Sequence, residues 1–390
     1  MPSPPDSPER SAPDRETWAS PPVWIAGGLF AICALPGLLM VAGFELGTHS
    51  EPLDLAALSA PDAGVQPLYK AVRGGIIHAL MEWSGVAAAA FTVILAMAHY
   101  RLRGEAVTMI IALALFWSGC MDAFHALAAT QLLTSTADSQ NFVPFTWAIS
   151  RLFNVLIILL GVGLLMVRSS LPVLEGRRYA IPIIGLVFGL IAYVIIHACS
   201  TASHLPQTMY PDALITRPWD FIPLVLFVIA GLIVFPLFHR RFRSPFSMAL
   251  WLSAIPEIAT EMHMAFGSTA LFDAHFHAAH LLKIVAYLVP LGGLVLEYIE
   301  SHHNLEMVNV RLREVQSELQ VQAKRIEAKA NELSAVNTEL QQFVYVASHD
   351  LRAPLRAVSS LSSWIAEDLD EHLTGDSREH MDLLRQRVSR

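Results

Sequence analysis

The sequence predicts an all-α membrane protein: an eight-helix transmembrane bundle, then a parallel dimeric coiled coil, then the start of a helical hairpin. Three observations predict it. Apolar residues make up 54% of the 390 positions and charged residues only 15%, a balance outside the range of soluble domains. Apolar stretches of about 20 residues, the length a helix needs to cross a bilayer, recur through the first 300 positions. After them a seven-residue leucine spacing takes over and the charged residues concentrate, the mark of a coiled coil in water.

The elements follow in order. Residues 1–22 hold seven prolines among Ser, Asp, Glu and Arg and cannot bury enough surface to offset chain entropy, so a disordered cytoplasmic tail is expected. Residues 23–299 form the membrane domain, with spans expected at Val23 to Phe44, Ile76 to His99, Ala106 to Ala128, Phe142 to Val167, Tyr179 to Cys199, Trp219 to His239, Phe246 to Phe266 and His277 to Ile299. Arg101 and Arg103, then Arg168, Arg177 and Arg178, then Arg240, Arg241 and Arg243 fall in alternate connections. Basic residues stay on the cytoplasmic side, so both termini are expected in the cytoplasm of a bacterial inner-membrane protein. Cys33, Cys120 and Cys199 sit in or at the end of apolar runs and read as small core filler rather than a disulfide framework. The lipid bilayer is the first partner implied, and nothing suggests nucleic acid.

Ionisable side chains inside spans cost about 2.5–3.5 kcal/mol each near the bilayer centre on insertion scales, and this sequence has many. His78, Glu82, Asp122, His125, Arg151, Glu257, Glu261, His263, His277, His280 and Lys283 all fall within predicted spans. Spacings of three and four put His78 with Glu82, Asp122 with His125, Glu257 with Glu261, and His277 with His280 on shared helix faces. With the orientation above, all of these lie in the outer half of the membrane. Three readings stay open. A salt-bridge network pairs Asp122, Glu257 or Glu261 with Arg151 and Lys283 and fixes helix register. A transition metal or haem is held by Asp122, His125, Glu257 and His280, the donor types used in helix bundles. A pocket takes a small ligand or senses protons through histidine.

Three stretches, Cys120-Met-Asp-Ala-Phe-His-Ala-Leu127, Ile255-Pro-Glu-Ile258 and His280-Leu-Leu-Lys-Ile-Val-Ala-Tyr287, resemble the signature segments of the third class of MASE domains, membrane-associated sensors found ahead of kinases and cyclases. The resemblance covers roughly residues 20 to 300 and marks Asp122, His125, Glu257, His280 and Lys283. Ala259, Thr260 and Glu261 stand where that pattern is more apolar and aromatic.

Residues 300–340 carry the heptad. Leu305, Leu312, Leu319, Ile326, Leu333, Leu340 and Ala347 take the a positions, while Gln322 and Lys329 place two polar residues at d. Polar d residues weaken the seam and suit a rod that shifts between two packings. Residues 341–390 open with Phe343-Val-Tyr-Val-Ala-Ser-His-Asp-Leu-Arg-Ala-Pro-Leu355, which resembles the H-box of the HisKA dimerisation and phosphoacceptor family. The resemblance implies His349 as the phosphoacceptor. Its chemistry asks for a neutral imidazole whose free nitrogen attacks the γ-phosphorus of ATP, with the neighbouring carboxylate of Asp350 holding the other nitrogen. Pro354 lacks the amide hydrogen that would bond Asp350, so the helix is expected to hinge there. A turn near Leu373 to Asp376 and an amphipathic return helix from Ser377 complete the segment.

The resemblance further implies a homodimer, a response regulator receiver domain as phosphoryl acceptor, and ATP with Mg2+ bound by a catalytic domain. The motifs of that catalytic domain are not among these 390 residues, so the chain alone is expected to be inactive as a histidine kinase. Two further classes compete: a metal or proton carrier that uses the polar layer as a path, and a membrane anchor without a sensing site of its own.

Overall fold

The computed structural model describes residues 20–48, 66–133, 139–167 and 179–389. Among them all regular structure is helical, and no strand occurs. The predicted tail up to Ala19 and the basic connection holding Arg168, Arg177 and Arg178 lie outside the described residues. The chain divides into two compact units, residues 1–304 and 305–390.

The first unit contains α1 (Val23–Val41), α2 (Gln66–Arg103), α3 (Ala106–Ala129), α4 (Ser139–Val167), α5 (Ala180–Thr201), α6 (Pro218–Ile229), α7 (Phe235–Arg241), α8 (Pro245–Met262) and the first part of α9 (Ala274–Asp368). Seven of the eight predicted spans fall on helices long and apolar enough to cross a membrane. The sixth is α6 and α7 joined by the π-helical turn Ala230–Val234. A π turn loosens the backbone ladder, and Trp251 Nε1 donates to the carbonyl of Gly231 there at 2.9 Å. The predicted seventh span is α8, 18 residues followed by the π turn His263–Gly267. Glu257 and Glu261 lie on it, which is why it falls outside that apolar set. Both are buried, so α8 carries its charges inward.

Burial in this unit is the reverse of a water-soluble protein. Charged side chains including Glu82, Arg151, Glu261 and Lys283 are fully enclosed, while Ile183, Leu186, Leu190 and Val194 of α5 face outward. A lipid solvent rewards that arrangement, because tails solvate Leu and Ile as well as a core does. Small residues bring the backbones together. A methyl group on Gly119 of α3 would meet the Cβ of Ala89 on α2 at 2.6 Å, and one on Gly293 of α9 would meet the Cβ of Ala249 on α8 at 2.2 Å. α8 starts on a capping box between Ser244 and Ser247 with Pro245 at its first turn, which closes the short connection after Arg241.

In the second unit α9 continues through Pro354 to Asp368, and Gly375, at φ +55°, precedes the return helix α10 (Asp376–Val388). A positive φ favours glycine. Arg378 ties the turn by donating to the carbonyl of Asp370 at 2.8 Å and to its carboxylate at 2.5 Å. The heptad residues are open on this single chain: Leu312 is 60% exposed and Leu333 71%.

Candidate polar site in the membrane domain

The side chains singled out in the spans fall into two ion-paired groups on α2, α3, α4, α8 and α9. In the first, α2 presents His78 and Glu82 one turn apart and α9 presents His280 and Lys283. Lys283 Nζ donates to both Glu82 oxygens at 2.6 Å and stands 3.5 Å from Asp122 Oδ1 on α3. Asp122 also accepts from Ser150 Oγ at 2.5 Å and from the Tyr287 hydroxyl at 2.7 Å. In the second group Arg151 of α4 donates to Glu257 and, through Nε at 2.5 Å, to Glu261. Asn154 Nδ2 donates to the other Glu257 oxygen at 3.2 Å, and its Oδ1 accepts from Ser118 Oγ at 3.0 Å. Trp147 lies between the groups, 4.8 Å from Lys283 Nζ and 5.8 Å from the Arg151 guanidinium, where an aromatic face stabilises buried cations.

The histidines form the third component. The rings of His78 and His280 are 4.6 Å apart and those of His78 and His125 5.2 Å. His280 Nδ1 bonds the carbonyl of Phe276 at 2.7 Å. A carbonyl only accepts, so Nδ1 carries the proton and Nε2 a lone pair. His125 reaches the same state by a longer route. The Thr146 hydroxyl donates to the carbonyl of Val143, so toward His125 Nδ1, 2.9 Å away, it accepts.

Of the four residues that sequence reasoning proposed as metal ligands, the fold brings His125 and His280 together and uses the other two elsewhere. Asp122 is held by Tyr287, Ser150 and Lys283, and Glu257 by Arg151 and Asn154. The donor atoms that do converge belong to His78, Glu82, His125 and His280, all within 4.8 Å of one another. His277 faces a different way, bonding Thr48 Oγ1 at 2.6 Å beside a groove of about 440 Å3 lined by α1, α2 and α9. His263 pairs with His275 at 2.9 Å, apart from both groups.

Several members of the site carry no charge and no sequence signal of their own: Thr146, Trp147, Ser150, Asn154 and Tyr287 are found only once the helices pack. Buried ionisable residues were also missed, among them Asp220, Asp273 and Glu297. The expectation that such groups stop in one half of the bundle is corrected by Glu297, which is buried near the opposite end. It accepts from Thr108 Oγ1 at 3.1 Å and from the amide of Phe246 at 3.0 Å, with His99 3.8 Å away. Its place at the edge of the last apolar run was the available signal. Along α3, between Thr108 and Ser118, the buried residues Ile110, Ile111, Ala112, Ala114 and Leu115 are apolar, so the two polar regions are separate on that helix.

His349 and Asp350 are exposed on the second unit, with His349 Nδ1 3.3 Å from Asp350 Oδ1. A ring nitrogen held by a carboxylate leaves the other free to react.

Comparison with curated proteins and with solved structures gave no match. The model of one family, described as a membrane-associated sensor domain, matches residues 75–301, which hold both ion-paired groups and the histidine cluster. The chain therefore belongs to the MASE3 family of membrane-associated sensor domains.

Proposed function

We propose that this membrane sensor domain feeds a phosphoacceptor helix, and that the chain is the sensing and receiving part of a two-component sensor histidine kinase. One observation carries the reading: a single helix, α9, holds His280, Lys283 and Tyr287 of the buried site and also His349. A change in how α9 packs against α2 and α3 then has a physical route to the coiled coil, since no Gly or Pro interrupts Leu305 to Ala353 and a stiff helix transmits rotation or axial shift. The exposed heptad leucines support a homodimer, which would bury them. ATP and Mg2+ enter with a catalytic domain outside these residues, and a response regulator receives the phosphoryl group. On this reading the chain sits in a bacterial inner membrane with both ends cytoplasmic.

The test uses membranes in which the chain is supplied with an ATP-binding histidine kinase catalytic domain, together with Mg2+ and labelled ATP. Phosphate on the chain that is acid-labile and base-stable is expected, and His349→Gln abolishes it. Label that persists in His349→Gln, or is absent from the unsubstituted chain, overturns the assignment.

A further inference from the structure

The histidine cluster has a property that the salt-bridge network does not explain. His78, His125 and His280 bring ligand atoms within 4.8 Å of one another and of Glu82, each residue is at most 1% exposed, and none of the three Nε2 atoms has a hydrogen-bond partner. His280 Nε2 lies 3.1 Å from Glu82 Oε1 but off the direction of a hydrogen bond, as it must if it carries a lone pair. Two buried acceptors, His125 and His280 Nε2, beside the unpartnered Nε2 of His78 and a carboxylate are unfavourable: each has lost water and gained no donor. Residues that serve only register would fill this space with donors or with methyl groups.

We propose that His78, Glu82, His125 and His280 form a binding site for one divalent transition-metal ion. Three features support it. The donor set, three imidazoles and one carboxylate, suits zinc and neighbouring first-row ions. The bonds from His280 Nδ1 to Phe276 and from His125 Nδ1 to Thr146 are the outer contacts that fix the metal-binding tautomer. Beside the histidines two carboxylates, Glu82 and Asp122, stand against one cation, Lys283, an environment that favours added positive charge. An ion fits better than a haem, because the rings of Phe276 and Trp147 pack on His280 at 4.1 and 4.3 Å and fill the space a macrocycle needs.

The site also contains its own competitor. Lys283, one turn beyond His280, holds both Glu82 oxygens and has Asp122 as a second anion within 3.5 Å. A metal that takes a Glu82 oxygen pushes the ammonium toward Asp122. Tetrahedral zinc sets its ligand atoms about 3.4 Å apart, so the donor atoms, now spread over up to 4.8 Å, draw together. Those atoms sit on α2, α3 and α9. As the input of the sensor this site rests on the function proposed above, but as a metal site it stands independently.

The experiment adds zinc sulfate to the purified, detergent-solubilised full chain and measures bound metal after gel filtration, with X-ray absorption at the zinc edge. One zinc per chain is expected, with imidazole scattering and no sulfur. His125→Ala and His280→Ala lose it, while His263→Ala and His99→Ala retain it. Lys283→Gln, which removes the competing cation, binds about tenfold more tightly, and the thermal unfolding of each variant separates lost ligation from misfolding. No zinc in the unsubstituted chain, sulfur ligation, zinc retained in His125→Ala or His280→Ala, or zinc lost in His263→Ala or His99→Ala overturns the site. Zinc that binds as expected yet leaves His349 labelling unchanged in membranes supplied with the catalytic domain keeps the site and refutes its role as input.

Discussion

The two units of this protein use polar and apolar side chains in opposite ways. Among the described residues of the first unit Glu82, Arg151, Glu261 and Lys283 are enclosed while Ile183, Leu186 and Leu190 face out; in the second unit Leu312, Leu319 and Leu333 stand exposed among Glu, Lys and Arg. The difference teaches what each unit lacks. Outward leucines in the first are satisfied by lipid, whereas the same residues on a helix in water are an interface without its second half. Enclosed charges need partners inside the bundle, which here are opposite charges and hydroxyl, amide and backbone groups, while the heptad leucines of the second unit are open on the single chain.

The largest expected effect breaks the first half of that comparison. Arg151→Met leaves Glu257 and Glu261 buried without their cation, and a stranded charge of this kind costs about 3–5 kcal/mol. Thermal unfolding of the detergent-solubilised chain should fall sharply, and Arg151→Met combined with Glu257→Gln and Glu261→Gln should recover much of the loss. Next, Leu333→Asp puts a charge at the centre of the seam. Sedimentation should show dimer giving way to monomer, with no fall in the melting of the membrane unit. A protein that is monomeric before the substitution would refute the coiled-coil reading. Gly293→Val follows: Ala249 and the Pro245 carbonyl stand in the way of any side chain there, and overpacking typically costs about 1–3 kcal/mol. Gly292→Ala is the matched control at the small end. Nothing lies within 4 Å of its added Cβ, and replacing a helical glycine should stabilise by about 0.5–1 kcal/mol.

Much of this was legible in the sequence. Span positions follow from apolar length, and α3 and α5 begin and end within two residues of expectation, because a bilayer fixes how many apolar residues a helix needs. That Arg151 and Lys283 find carboxylates also follows from the cost of leaving them alone. Glu257, Glu261 and Asp122 were among the partners expected, and Glu82 was not. Lys283 takes Glu82 at a separation of 201 residues, and Arg151 takes Glu257 at 106. Helical spacing orders neighbours along one helix and is silent about which helices touch. Glu297 was missed for a related reason: at the end of a span a carboxylate reads as wetted surface, and only its contacts with α2, α3 and α8 enclose it.

The sequence by itself determined the all-helical class, the switch from membrane helices to a seven-residue repeat, and the Ser-His-Asp stretch at residues 348–350. Each of these depends on composition or on spacing within one segment. Only the tertiary structure decided that His78, Glu82, His125 and His280 share one centre while Asp122 and Glu257 belong to ion pairs around it. The reason is geometric: a donor set is chosen by the rotation and depth of several helices at once, and a turn of one residue on any of them would present a different side chain to the centre.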